Sequence, residues 1–266
     1  MKIQGDGYLS SKGQAEAQQI VAENQVGFEA LWQSINAFRS FAASCEVARQ
    51  ETKTEKQKAI ALVLAARLLE VTEAAYLTMQ HGMSTEANSL FRIFLDAYFV
   101  LGNICSDPDF VVEYFKSDEA DRLKLINSVR KHSDELFQQV NDGISAEHQA
   151  ELKALVESEK IQAFNSYNYA AKIGCENIYD SMYRITSAAI HTTPRALGSY
   201  SEEDDKGILI SVRDRPSRDQ IPQRLHDFSH FTIKALSGLQ ELFGCLNREE
   251  IDRLSEKLQQ VPKGKT

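Results

Sequence analysis

The chain has 266 residues, 42% hydrophobic and 26% charged, with a formal net charge of -8. This is the composition of a folded chain rather than a disordered one. The acidic balance excludes a protein that coats nucleic acid without sequence preference, since such binding trades phosphate counterions for Lys and Arg. A local basic patch on an acidic body is still open.

Only 5 Pro and 13 Gly interrupt the chain, which favours helices over sheet. The length fits a single helical domain over residues 13–261, with a flexible arm at 1–12 and a frayed tail at 262–266. Cys45, Cys105, Cys175 and Cys245 are far apart and form no C-x-x-C pair. Reduced thiols in a cytoplasmic protein are expected, without a zinc site or disulfide framework. Met1–Gln14 lacks the apolar core of a leader. The apolar stretches Ala59–Leu69 and Leu90–Leu101 fall short of the roughly 20 residues that span a bilayer, so no membrane role is expected.

In chain order, the first helix is expected over Gly13–Glu46. Phe28, Leu31, Trp32, Ile35, Phe38 and Ala42 recur there at three- and four-residue spacing. A second helix spans Thr54–His81, and Gly82 stops it. Ser84 or Thr85 caps a third, Thr85–Cys105, so short a joint implying an antiparallel pair. Asp107-Pro108 restarts the chain with Asp as N-cap and Pro in the first turn. The helical region that follows reaches Val140, with a bend or break near Ser117–Asp121, and Asn141-Asp142-Gly143 forms a turn.

Ser145–Lys160 reads as a polar, exposed helix. Another helix runs from Cys175 to His191 and ends before Pro194. Residues 195–217 are irregular, with Gly207–Val212 as a short strand or strand-like loop. Asp219–Phe243 and Asn247–Gln260 close the chain as helices. The expected fold is all-α: a bundle of about seven to nine helices with one irregular or short β segment near residues 197–216.

Two polar stripes interrupt this pattern. The Thr85–Cys105 helix is apolar nearly all round, as a core helix is. At about 100° per residue, however, Thr85, Asn88, Arg92, Asp96 and Asn103 share one narrow sector. Arg92 and Asp96 are four apart and can pair. Such groups must find partners or line a polar cavity, because a buried unpaired charge is costly. The second stripe places Asp180, Tyr183, Arg184, Ser187 and His191 on one face, opposite Ile178, Met182, Ile185 and Ala189. That face carries no Lys and no Glu. At the helix end, the backbone dipole favours a protonated His191, a candidate acid or base.

Gly82 with Glu86-Ala87, then Arg92-x-x-x-Asp96, then Tyr183-x-x-x-Ser187-x-x-x-His191, resembles an uncharacterised bacterial family of all-helical proteins over roughly residues 60–200. Asp96 stands where that family more often has Glu. The resemblance implies a helical fold and a shared site, and no established activity.

Arg184 and His191, with six residues between, also resemble the Arg/His motif of HEPN ribonucleases, with Ile185 where those proteins often have a polar residue. That resemblance implies metal-independent RNA cleavage without a cofactor. His191 would move the proton of the 2′-hydroxyl or of the leaving oxygen, and Arg184 would stabilise the pentavalent phosphate. It also implies a homodimer, and an antitoxin or phage-defence partner.

Arg224 and His230, with five residues between, also fit that motif's range of four to six, but they diverge by about 120° on a helix, against about 20° for Arg184 and His191. His226 and His230 have the spacing of a metal pair without an evident third ligand. Arg213, Arg215, Arg218 and Arg224 form a basic run that could hold RNA or be a solvated loop. The expected function is therefore a ribonuclease using Arg184 and His191, with Arg92, Asp96, Asp180, Tyr183 and Ser187 around them. Two alternatives stay open. One is a non-catalytic protein whose cavity of Arg92, Asp96 and His191 holds a small anion or a partner. The other is two stripes acting as internal polar glue.

Overall fold

The computed structural model describes residues 2–47, 49–132, 137–138, 142–191, 193–244 and 248–262. The first strand is β1 (Lys2–Gln4), which lies within the segment 1–12 expected to be an arm. β1 lies parallel to β3 (Leu209–Arg213), and β2 (Ser201–Glu203) lies antiparallel on its other side, giving the order β1-β3-β2. This small sheet occupies the region where a short β segment was expected.

Where one helix was expected at the start, there are two, α1 (Ser11–Glu23) and α2 (Gln25–Ser44). Asn24 separates them with a non-helical backbone, and its Nδ2 donates to the Ile20 carbonyl at 2.8 Å. A side-chain amide that serves the backbone in this way competes with helix continuation. Of the apolar stripe on α2, Phe28, Leu31, Ile35 and Phe38 are buried, while Trp32 is 46% exposed.

α3 (Lys53–Gln80) begins with a reciprocal cap between Thr52 and Glu55. Gly82 ends it at φ +69°, and an added Cβ there would meet Ile20 and Pro216 within 3 Å. Backbone of this conformation in so tight a place requires glycine. α4 (Ser84–Ser106) follows antiparallel to α3. Neither Ser84 nor Thr85 caps it; Met83 stands at the N-cap without a side-chain bond. α4 is long and apolar enough to cross a membrane by length and composition. Phe91, Phe94, Leu95, Phe99 and Ile104 are nonetheless fully buried, packed against α3 and helices from later in the chain.

α5 (Phe110–Val129) starts two residues later than the Asp107-Pro108 signal suggests, because Asp107 accepts from the Asp109 N–H at 2.8 Å in a local turn. It is unbroken through Ser117–Asp121. Arg122–Asp118 at 3.0 Å and Lys124–Asp121 at 3.2 Å bridge successive turns there. The turn expected at Asn141 falls partly outside the described residues. α6 (Ala146–Glu159), capped by Ser145, buries only Leu152, as its polar sequence leads one to expect.

α7 (Ser166–Lys172) is short. α8 is a continuous helical run built from Glu176–Ile178, a π-helical turn at Tyr179–Tyr183 and Arg184–Ile190. α9 (Pro194–Leu197) is capped by Thr193 and leads into the sheet. α10 (Ile221–Phe243) packs on α2, α3 and α4 and completes the central core, and α11 (Arg248–Leu258) leans on α10 and α2. Among the described residues, Cys45, Cys105 and Cys175 form no disulfide; Cys245 lies outside them.

Candidate functional site

Arg92 sits midway along α4 and reaches three acceptors. Nη1 donates to Asp96 Oδ2 at 2.7 Å, Nη2 to the Tyr183 hydroxyl, and Nε to Ser187 Oγ at 3.3 Å. The directions of the remaining bonds are then fixed by donor chemistry. Tyr183 accepts from the guanidinium and donates to Ser166 Oγ at 2.9 Å. Ser166 donates to Asp96 Oδ1 at 2.5 Å. Arg92, Tyr183, Ser166 and Asp96 thus form a closed ring that ties α4, α7 and α8 together. Ser187 in turn donates to the Tyr183 carbonyl at 2.7 Å. Burial pushes the Tyr183 phenol above its ordinary pKa, so it stays protonated and can close the ring.

Face-to-face contacts extend outward from this ring. The Arg92 guanidinium lies 4.5 Å from the Tyr183 ring centre. Tyr183 stacks on Tyr179 at 4.6 Å and 20°, and Arg184 lies over Tyr179 at 5.6 Å. Tyr167, the second residue of α7, meets Tyr179 edge-on at 5.3 Å. The π-helical turn spans Tyr179–Tyr183, so both stacked tyrosines lie within it. Turns of this kind recur at functional sites.

The second stripe is therefore divided. Tyr183 and Ser187 turn inward to Arg92. Asp180 and Arg184 turn outward, where they pair with each other at 3.1 Å with side chains 56% and 66% exposed. His191 closes α8 at its C-cap and is exposed. From Arg184 to Ile190 the helix is α-helical, but His191 follows with an extended backbone, so the helical wheel that aligned it with Arg184 does not extend to its side chain. Of the seven residues singled out in the sequence, the structure joins Arg92, Asp96, Tyr183 and Ser187 directly and leaves Arg184, Asp180 and His191 facing solvent on the same helix. The sequence did not reveal Ser166, Tyr167 or Tyr179. Ser166 is 70 residues from its partner Asp96, and no spacing rule connects them.

The basic run is matched by carboxylates. Arg213 and Arg215 face Glu202 at 2.9 and 3.8 Å, and Arg218 faces Glu23 at 2.9 Å. These three arginines line a cleft of about 270 Å³ at the start of α4, together with Tyr8, Thr85 and Tyr200. Arg224 is no part of that surface. It lies 8% exposed beneath α4, 2.8 Å from Asp227 Oδ2 and 4.9 Å from the Phe91 ring centre. Burial pushes its pKa down, against the pull of Asp227.

The rings of His226 and His230 lie parallel, 6.3 Å apart. Among the described residues, no group of three His, Cys, Asp or Glu side chains is placed to hold a metal ion.

A family model described as a family of unknown function, DUF5677, matches residues 58–208, more than half of the chain, and the chain belongs to that family. No curated protein and no solved structure matches it.

Proposed function

We propose that this member of the DUF5677 family is a metal-independent endoribonuclease of HEPN type that acts in the cytoplasm as a toxin or phage-defence effector. The observation carrying this reading is the division of the second stripe. The Arg92 ring holds one side of α8 in place, and the same helix presents Arg184 and His191 to solvent. A rigid element that displays one cation and one imidazole is what in-line phosphodiester chemistry needs.

His191 removes the proton of a ribose 2′-hydroxyl. The 2′-oxygen attacks phosphorus, the bond to the 5′-oxygen breaks, and the departing oxygen takes up a proton. The products are a 2′,3′-cyclic phosphate and a 5′-hydroxyl. Arg184 neutralises charge on the pentavalent phosphate. Its pairing with Asp180 is exposed and worth little, so the guanidinium is available to a phosphate.

The reading includes a homodimer; Ile185, expected on the buried side of α8 but 60% exposed, and the exposed Ile190 and Leu197 are apolar side chains left uncovered in this part of the chain. In such a dimer, the second copy's His191 would supply the leaving-group proton. The alternative of a small anion held by Arg92, Asp96 and His191 is weaker, because Arg92 already donates to Asp96, Tyr183 and Ser187.

The test is to incubate the purified chain with total RNA in the presence of a chelator. Wild type is expected to leave cyclic-phosphate ends, and His191→Ala to cut at least about 100-fold more slowly. Sedimentation of the same preparation reads the dimer. Equal cleavage by wild type and variant, or none by either, overturns the reading.

A further inference from the structure

We propose that the site takes single-stranded RNA and holds one unstacked base against the tyrosines Tyr167 and Tyr179, next to the phosphate gripped by Arg184. The choice of reaction rests on the ribonuclease reading above; the binding platform rests on geometry of its own.

Tyr167 is 43% exposed although it is a large aromatic at the first turn of α7. It is held firmly. The preceding residue, Ser166, is locked between Tyr183 and Asp96, and Asn165 caps the helix by accepting from the Asn168 N–H at 3.0 Å. Tyr167 meets Tyr179 at 71°, so the two rings make a corner rather than a sealed stack. Tyr179 is backed in turn by Tyr183 and by Arg92 behind it. Such a corner offers an aromatic face at fixed position and little ordering cost, the arrangement on which single-stranded bases stack. The Arg184 guanidinium lies over the Tyr179 ring, 5.6 Å from its centre, so a base held against the exposed Tyr167 has a cation close by for its phosphate.

Charge points the same way. The body carries a net charge of -8, Arg184 has Asp180 beside it, and the other arginines described above are paired with carboxylates. Phosphate contacts alone are too few to capture RNA, and stacking must supply much of the affinity. Bases paired in a duplex are not available to stack on protein, which excludes double-stranded RNA.

The experiment measures anisotropy of a labelled, unstructured RNA oligomer with the His191→Ala protein, which separates binding from cleavage. Adding Tyr167→Ala is expected to weaken binding roughly tenfold, and Tyr167→Phe to preserve it. The duplex of the same sequence is expected to bind at least about tenfold more weakly. The salt dependence is expected to be shallow, with a log–log slope near about -1, as for one or two phosphate contacts.

Undiminished binding with Tyr167→Ala, equal binding of the duplex, or no binding of the single strand overturns the platform. If wild type cleaves RNA while Tyr167→Ala binds normally, the platform falls and the ribonuclease reading stands. If tyrosine-dependent binding appears and wild type cleaves nothing, the ribonuclease reading falls and the platform stands.

Discussion

Two arginine–aspartate pairs contact the central helix α4, and they are completed differently. Arg92–Asp96 keeps 26% and 22% of its side chains exposed, and each polar arm of Arg92 ends on an acceptor. Arg224–Asp227 is 8% and 3% exposed. Arg224 Nε and Nη1 and Asp227 Oδ2 are buried without an aligned hydrogen-bond partner. In the first pair Nε, Nη1 and Nη2 of Arg92 each have a protein acceptor, and the rest of the guanidinium keeps some contact with water. The second is held by charge attraction, by the Phe91 ring and by Gln223 Nε2, which donates to Asp227 Oδ1 at 2.7 Å, with Arg224 donors left over. Desolvation of a pair is offset only when its remaining hydrogen bonds are met. The comparison teaches that the presence of an ion pair says little about stability until its unused donors and acceptors have been followed.

Breaking the second pair should produce the largest effect. Asp227→Ala leaves a buried guanidinium without its counter-charge and is expected to cost about 3–5 kcal/mol. In a chain of this size that is a fall in Tm of roughly 10 °C. The double change Arg224→Met with Asp227→Leu is expected to return stability to near or above wild type. Calorimetry of the three proteins decides it, and a single variant within about 1 kcal/mol of wild type would remove the distinction between the pairs.

A smaller loss is expected from Tyr183→Phe. The hydroxyl links Arg92 to Ser166, and its removal should cost about 1–2 kcal/mol. Denaturant unfolding measures this, with Ser187→Ala, which removes the longest contact of Arg92, expected to cost less.

The smallest effect concerns alkaline pH. Burial raises Tyr98 and Cys105 to about 12 each. Both groups are neutral when protonated, so their contribution is complete below the unfolded-state values near 9 for the thiol and 10 for the phenol. It is lost as pH climbs through those values toward 12. Tm is therefore expected to hold up to about pH 8.5 and to decline above it, and Tyr98→Phe should flatten the decline. An unchanged slope in that variant would assign alkaline sensitivity elsewhere, including to the ion pairs.

Much of the helical framework could be read from the sequence because it rests on local rules. The stop at Gly82 and the apolar run that holds Phe91, Phe94 and Leu95 are each set within a few residues. Misreadings arose where a side chain overrides the pattern, as when Asn24 turns back on its own helix.

The site was less legible. Arg92 and Asp96 stood out as charges in an apolar helix, but Ser166 is joined to them only by tertiary packing. Arg224 looked like part of a basic run, although Ile221 and Phe228 lie one turn to either side and place it on the buried face. That signal was present, and the neighbouring arginines obscured it. β1 was missed because three residues carry no periodicity, and its pairing partner is more than 200 residues away.

The π-helical turn at Tyr179–Tyr183 introduces a phase slip into α8. A uniform α-helix turns all its faces together, so any rotation that improves the inward contacts must move the outward ones. One widened turn releases that constraint. The upstream tyrosines can be aimed at the Arg92 ring while Arg184 and the helix end keep their own bearing toward solvent. Removing one residue from the turn, such as the exposed Ser181, would close it to a regular α-helical turn and take away the slip between the two segments. The helix would remain, but its two faces could no longer be set independently.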